Sequence, residues 1–335
     1  MKKLLKKLFL STALAFGIVF CVAFLFPRII QAETKTLGVH ILNPGDFDYA
    51  VQLLKQPDNQ DKWHYLTVPL TLDELKKEQE WQDFFKKCGQ YRFIPVVRLA
   101  TKVRNGAWIR PNRKQIVEMF AFMDKLNWPT DERHVIVFNE VNHAKEWGGE
   151  VDALSYTQIL EFTTNWAHTE TANYQVMPAA MDLAAPNGVE TMEAFNFLNR
   201  VDQYNPWLFE QMDLWNSHSY PNPGFSASPT RTGQNSLRGF EYELNYLKNK
   251  TGKNFEVMIT ETGWVDNNFT RPWLAQYYTY AIQHVWSHPQ VKGVTLFLLR
   301  GAPGPFESFS FFDQANQPTN IFEAFQAGVK GASTD

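Results

Sequence analysis

The chain has 335 residues, 44% hydrophobic and 20% charged, an ordinary globular composition long enough for one large domain or two small ones. Residues 1–32 carry five basic side chains and no acidic one, which leaves the remainder at a net charge of about −8. An acidic body argues against nucleic acid or anionic lipid as the main partner.

The first segment reads as a targeting unit. Met1 to Lys7 is basic, Leu8 to Phe26 is an uncharged apolar run, and Ile30-Gln31-Ala32 ends on a small residue suited to cleavage. The run is long for a signal peptide and near the length that spans a bilayer, so residues 1–32 are expected to be a cleaved signal or an uncleaved membrane anchor. Either way the body, residues 33–335, is expected outside the cytoplasm, secreted or tethered. Without residues 1–32 only Cys88 remains, so the body can form no internal disulfide, and C-x-x-C metal spacing is absent.

From Thr36 onward short apolar runs alternate with amphipathic segments, the pattern of βα units and a parallel sheet. Eight strands are predicted: Leu37–Leu42, Tyr65–Leu70, Phe93–Ala100, His134–Asn139, Tyr174–Ala180, Gln211–Ser217, Phe255–Thr260 and Gly293–Leu299. Apolar residues at three- and four-residue spacing predict helices over Leu72–Lys87, Arg113–Leu126, Ala153–Thr169, Thr191–Val201, Leu237–Lys250 and Trp273–Ser287. Asn320–Gly328 reads as a closing helix. Pro111 and Pro272 mark helix starts, and Gly252 stands where a C-cap glycine belongs. The α/β pattern predicts a single-domain (β/α)8 barrel, in which chemistry gathers at the C-terminal ends of the strands.

Two of those ends carry glutamates. The fourth strand finishes at Asn139-Glu140, and the seventh delivers Glu261 after Val257-Met-Ile-Thr. A carboxylate buried without a partner is costly, so a glutamate closing a run of apolar residues is more than core filling. Strands four and seven face one another across a barrel mouth, and two carboxyls about 5 Å apart suit glycosidic cleavage with retention of configuration.

Asn139-Glu-Val-Asn142-His143-Ala-Lys-Glu-Trp147-Gly148-Gly149, together with Glu261 on the seventh strand, resembles clan A of the retaining glycoside hydrolases, the cellulase-like superfamily. The likeness spans the barrel from about Leu37 to the closing helix, with Val141 where a proline is usual. It implies Glu140 as acid/base, Glu261 as nucleophile, and Asn139 bonded to the sugar hydroxyl beside the reacting carbon. That last role needs a bulge, because strict alternation turns Asn139 away from the face of Glu140.

On the sixth strand, Asn216, His218 and Tyr220 share one face by alternation. The resemblance implies a Tyr220 hydroxyl bonded to the nucleophile and His218 beside the acid/base. His40 and Arg98 end strands one and three and are expected to line the mouth, and Trp147 and Trp264 to stack on sugar faces. Glu146, Glu241 and Glu307 are expected to be solvated. The clan usually ends strand eight with a Trp; here Thr295-Leu-Phe-Leu-Leu299-Arg300-Gly301 has none, and Arg300 or an aromatic of Pro305-Phe306-Glu-Ser-Phe309 is expected in its place.

The resulting expectation is a monomeric, cofactor-free glycosidase acting on a polysaccharide or oligosaccharide. A non-catalytic carbohydrate-binding barrel and a transglycosylase are the alternatives. A metal-dependent hydrolase is disfavoured, since His143, His218 and His284 lack spacing such as H-E-x-x-H.

Overall fold

In the computed structural model, residues 36–57 and 59–333 are described; the expected signal or anchor segment lies outside them. Among the described residues, no helix is long and apolar enough to cross a membrane.

Eight parallel strands are joined by helices: β1 (Thr36–His40), β2 (His64–Leu70), β3 (Phe93–Leu99), β4 (Glu132–Val137), β5 (Asn173–Pro178), β6 (Trp215–Ser217), β7 (Val257–Ile259) and β8 (Val291–Leu296). Their order around the sheet is β5-β4-β3-β2-β1-β8-β7-β6. Asp213 N donates to Val176 O (3.2 Å), Asn216 Nδ2 donates to Pro178 O (3.2 Å), and Asp182 bridges in parallel to His218. These contacts join the two end strands and close the barrel.

The helices are α1 (Phe47–Leu54), α2 (Glu78–Tyr91), α3 (Arg113–Met123), α4 (Ala153–Thr169), α5 (Ala194–Tyr204), α6 (Gly239–Thr251), α7 (Leu274–His284) and α8 (Asn320–Ala332). Local signals account for several ends. Asn112 and Gln115 form a capping box at the start of α3, immediately after Pro111. Gly252 ends α6 in the left-handed region at φ +74°.

Two elements depart from the expected pattern. α1 follows the tight Asn43-Pro44-Gly45-Asp46 turn and is only eight residues long, too short for its periodicity to stand out. The predicted helix beginning at Leu72 starts at Glu78, preceded by a single 3-10 turn over Glu74–Lys76.

Tyr65, Val96, Ile136, Met177, Leu214 and Met258 fill the barrel interior as one apolar cluster, separate from the larger core between sheet and helices. Gly293 makes room for it: a Cβ there would lie 2.3 Å from the Tyr65 ring. A polar layer includes Thr67 Oγ1 and Thr295 Oγ1, 2.9 Å apart, and Thr260 Oγ1, which donates to Asn216 Oδ1 at 2.6 Å. These buried groups satisfy one another.

Candidate active site

The end of β4 leaves regular strand geometry. Phe138 and Glu140 have φ of +72° and +31°, and Phe138 N bonds back to Ile136 O at 3.1 Å. A left-handed conformation costs a non-glycine residue about 1–2 kcal/mol. Here it resets the alternation, so that consecutive side chains serve the same mouth. Asn139 Oδ1 accepts from Arg98 Nη1 at 2.7 Å, and Glu140 Oε1 lies 2.9 Å from His218 Nδ1. The irregularity expected of the Asn139-Glu140 pair is present.

Glu261 is 6% exposed and ringed by groups from three strand ends. Its Oε1 accepts from Arg98 Nη1 at 2.5 Å, and its Oε2 accepts from the Tyr220 hydroxyl at 3.1 Å. His40 Nδ1 lies 3.2 Å from Oε1 without hydrogen-bond alignment, and His218 Nδ1 lies 3.7 Å from Oε2. Burial pushes the Glu261 carboxyl upward, but His218, His40 and Arg98 outweigh it and hold the group well below the usual carboxylate range. Glu261 is therefore ionised at neutral pH.

The two imidazoles diverge. Burial, helped by Arg98, takes His40 down to about 4, so it is neutral at pH 7. Burial also pushes His218 down, but Glu261 and Glu140 together raise it above the ordinary histidine value. Ligand atoms of Glu140, His218 and Glu261 all lie within 4.8 Å of one another. Such a trio could hold a cation by spacing alone, yet both Glu261 oxygens already accept from Arg98 and Tyr220. A cation there would also face the Arg98 guanidinium, so the donor set suits a bare carboxylate better than a metal ligand.

His40, Arg98, Asn139, Glu140, His218, Tyr220 and Glu261 thus converge, while four other expected site residues lie elsewhere. Trp147 is 1% exposed, packed edge-on against Phe138 and Tyr156, with no face open to a sugar. Trp264 is fully buried against Tyr277, Tyr278 and Trp286 and donates to Ala227 O at 2.8 Å. Asn216 is fully buried in the polar layer. Arg300 bonds Asp46 and Asn316 at 2.7 Å each and lies over the Tyr49 ring, tying the start of α1 to the β8–α8 loop.

Glu146 corrects the opposite way. It is not a solvated surface residue: burial and the neighbouring Glu140 raise its carboxyl, opposed by Arg98, Lys145 and a bond with Asn139. It sits in a 3-10 turn over Ala144–Glu146 within the loop after β4, and this turn folds it back toward Asn139 and Glu140. Nearby, His143 Nε2 bonds Asp182 Oδ2 at 2.9 Å, and Asn142 Nδ2 donates to the carbonyls of Asp182 and Met192. These bonds fasten the loop after β4 to the loop after β5.

Phe297, one residue past β8, was not singled out from the sequence. Its ring lies 5.5 Å from the His40 ring and 6.4 Å from that of Tyr220, beside the two side chains that face Glu261. Its signal in the sequence is an aromatic at a strand end, a phenylalanine where the resemblance points to a Trp.

No protein-family model matches this sequence, and no curated protein matches it either. Solved structures do match by shape. A family 5, subfamily 18 glycoside hydrolase variant from Streptomyces cattleya, solved in complex with Manβ1-4GlcNAc, superposes with a TM-score of 0.61 at 13% identity, covering 90% of this chain and 81% of that one. A family 39 glycoside hydrolase from Bacteroides cellulosilyticus WH2 gives 0.57 at 15% identity, covering 91% of this chain and 65% of that one. A family 128 endo-β-1,3-glucanase from Pseudomonas viridiflava gives 0.51 at 14% identity, covering 87% and 96%. At these identities the likeness establishes the shared (β/α)8 barrel.

Proposed function

We propose that this chain is a retaining glycoside hydrolase, cleaving β-linked poly- or oligosaccharide outside the cytoplasm by double displacement. One observation carries the reading: carboxylate oxygens of Glu140 and Glu261, from opposite sides of the barrel mouth, lie within 4.8 Å of each other. Retaining enzymes hold their two carboxyls about 5–5.5 Å apart, whereas inverting enzymes leave about 6.5–9.5 Å for a water. The glycosidases among the shape-matched barrels support the same class by analogy.

In this reading the ionised Glu261 attacks the anomeric carbon while Glu140 gives its proton to the departing oxygen. Glu140, then a carboxylate, takes a proton from the water that releases the sugar from Glu261. Arg98 and Tyr220 fix the two oxygens of Glu261, and Arg98 also fixes the Asn139 amide, linking both carboxyl-bearing strand ends through one guanidinium. The Lys-rich, apolar N-terminal segment supports export, by cleavage or as an anchor.

The test pairs a substrate screen with a chemical rescue. A panel of β-linked glucans, mannans, galactans and xylans should reveal new reducing ends with at least one member. Glu261→Gly should lose that activity, and azide should restore cleavage of an activated aryl glycoside, giving a glycosyl azide of inverted configuration. Full activity in Glu261→Gly without azide would falsify the assignment.

A further inference from the structure

Beside Glu261 stands a wall of aromatic rings from two loops. Tyr220 and Phe225 come from the loop after β6, and Phe297, Phe306 and Phe309 from the end of β8 and its following loop. The rings touch in sequence: Tyr220 to Phe225 at 5.0 Å, Phe225 to Phe309 at 5.2 Å, Phe309 to Phe297 at 5.6 Å, and Phe297 to Phe306 at 5.1 Å. Phe309 is buried, whereas Phe306 is 45% exposed. A phenyl ring left in water forgoes much of the stabilisation that its burial would contribute.

The loop nonetheless holds Phe306 firmly. A Cβ on Gly301 would lie 2.7 Å from Phe306 O and 3.1 Å from Phe306 Cβ, so only glycine lets the two segments approach. Gly301 N donates to Ser310 Oγ at 2.8 Å, Phe309 N to Phe306 O at 2.9 Å, and Asp266 N to Ser308 O at 2.7 Å. The last bond ties this loop to the one that follows Glu261. An exposed ring on a loop fastened at both ends is preorganised apolar surface, which binds a partner with little ordering cost.

Position says which partner. Phe297 stands beside His40 and Tyr220, the side chains that face Glu261, and Phe306 is the ring that adjoins it. In the glycosidase reading the sugars on the non-leaving side stay with the nucleophile, so rings on the Glu261 side of the mouth face them. We propose that Phe306 is the stacking face of a second glycone subsite, so that the substrate is a β-linked glycan with at least two sugars on the non-leaving side of the cleaved bond. A pyranose presents an apolar face of axial C–H bonds, which suits a phenyl ring. The inference rests on the glycosidase reading and narrows its poly- or oligosaccharide substrates to those with two or more sugars on the non-leaving side.

The experiment compares the 4-nitrophenyl β-glycosides of glucose, mannose, galactose and xylose with those of the matching β-linked disaccharides. Wild type, Phe306→Ala and Phe306→Trp are each measured, with a thermal melt as the folding control. In the wild type, kcat/KM should be higher for the disaccharide glycoside. Phe306→Ala should lower the disaccharide-to-monosaccharide ratio about tenfold, mainly through KM, and Phe306→Trp should retain it. An unchanged ratio in Phe306→Ala, with the wild type active, overturns this inference alone. A wild type inactive on every glycoside overturns the glycosidase reading as well.

Discussion

Removing the Tyr220 hydroxyl isolates one of the interactions that keep Glu261 charged. Oε1 of Glu261 would keep Arg98 and the neutral His40, while Oε2 would keep only His218 at 3.7 Å, beyond a hydrogen bond. A hydrogen bond to a charged group contributes about 1.5–3 kcal/mol, equal to roughly 1–2 units in the titration of the carboxyl that accepts it. Glu261 now sits well below the usual carboxylate value, and it attacks only when ionised, so activity is retained above its titration and lost as pH falls through it. Tyr220→Phe weakens the hold on the charged form and moves that acid limb upward by about 1–2 units. The assay is kcat/KM against pH for a nitrophenyl glycoside, where leaving-group protonation matters least. An acid limb that stays in place, in a variant that melts like the wild type, would refute the claim that Tyr220 holds the charge on Glu261.

Glu140→Ala should separate substrates by leaving group: glycan cleavage collapses, whereas a dinitrophenyl glycoside gives a rapid burst followed by slow turnover, because the intermediate forms without an acid and then lacks a base. Equal losses on both substrates without a burst would send the search for the proton donor elsewhere. Glu243, fully buried beneath β6 and bonded to Trp215 Nε1 and Ser217 Oγ, is pushed by burial to about 7 despite those donors. A carboxyl raised on folding stabilises most below its unfolded value near 4.5, and that contribution, about 3 kcal/mol, is lost as pH rises to about 7. Glu243→Gln should remove this pH dependence, and urea unfolding curves for the two proteins that run parallel between pH 4.5 and 7 would contradict it.

The barrel was legible because its evidence repeats. Val257-Met-Ile and His134-Val-Ile-Val are buried on both sides, and such continuous apolar runs mark parallel strands whatever their neighbours do. The same regularity made Glu140 and Glu261 conspicuous, since each interrupts an apolar run where the fold concentrates chemistry. α1 was illegible for the opposite reason: eight residues after a proline-glycine turn give too few repeats for a helical period to emerge.

Alternation fixes which face a side chain takes, but not its height in the barrel. Asn216, His218 and Tyr220 do share a face, yet inward-pointing residues stack in layers. Asn216 lies in the buried layer with Thr260, His218 reaches both carboxylates, and Tyr220 reaches only Glu261. Past the strands the period ends and loop geometry decides. At Gly263 the backbone turns through φ +137°, and Trp264 is fully buried in the core rather than presented to a sugar. After β4, the 3-10 turn brings Glu146 toward Asn139 while Trp147, its immediate neighbour, packs under Phe138. Neither outcome follows from residue type, because an indole serves equally well as core or as sugar platform, and only the local backbone selects between them. Phe297 and Phe306 make the same point in reverse: a plain phenylalanine at the end of β8 stands beside His40 and Tyr220, and a second packs against it where Gly301 lets the loop approach.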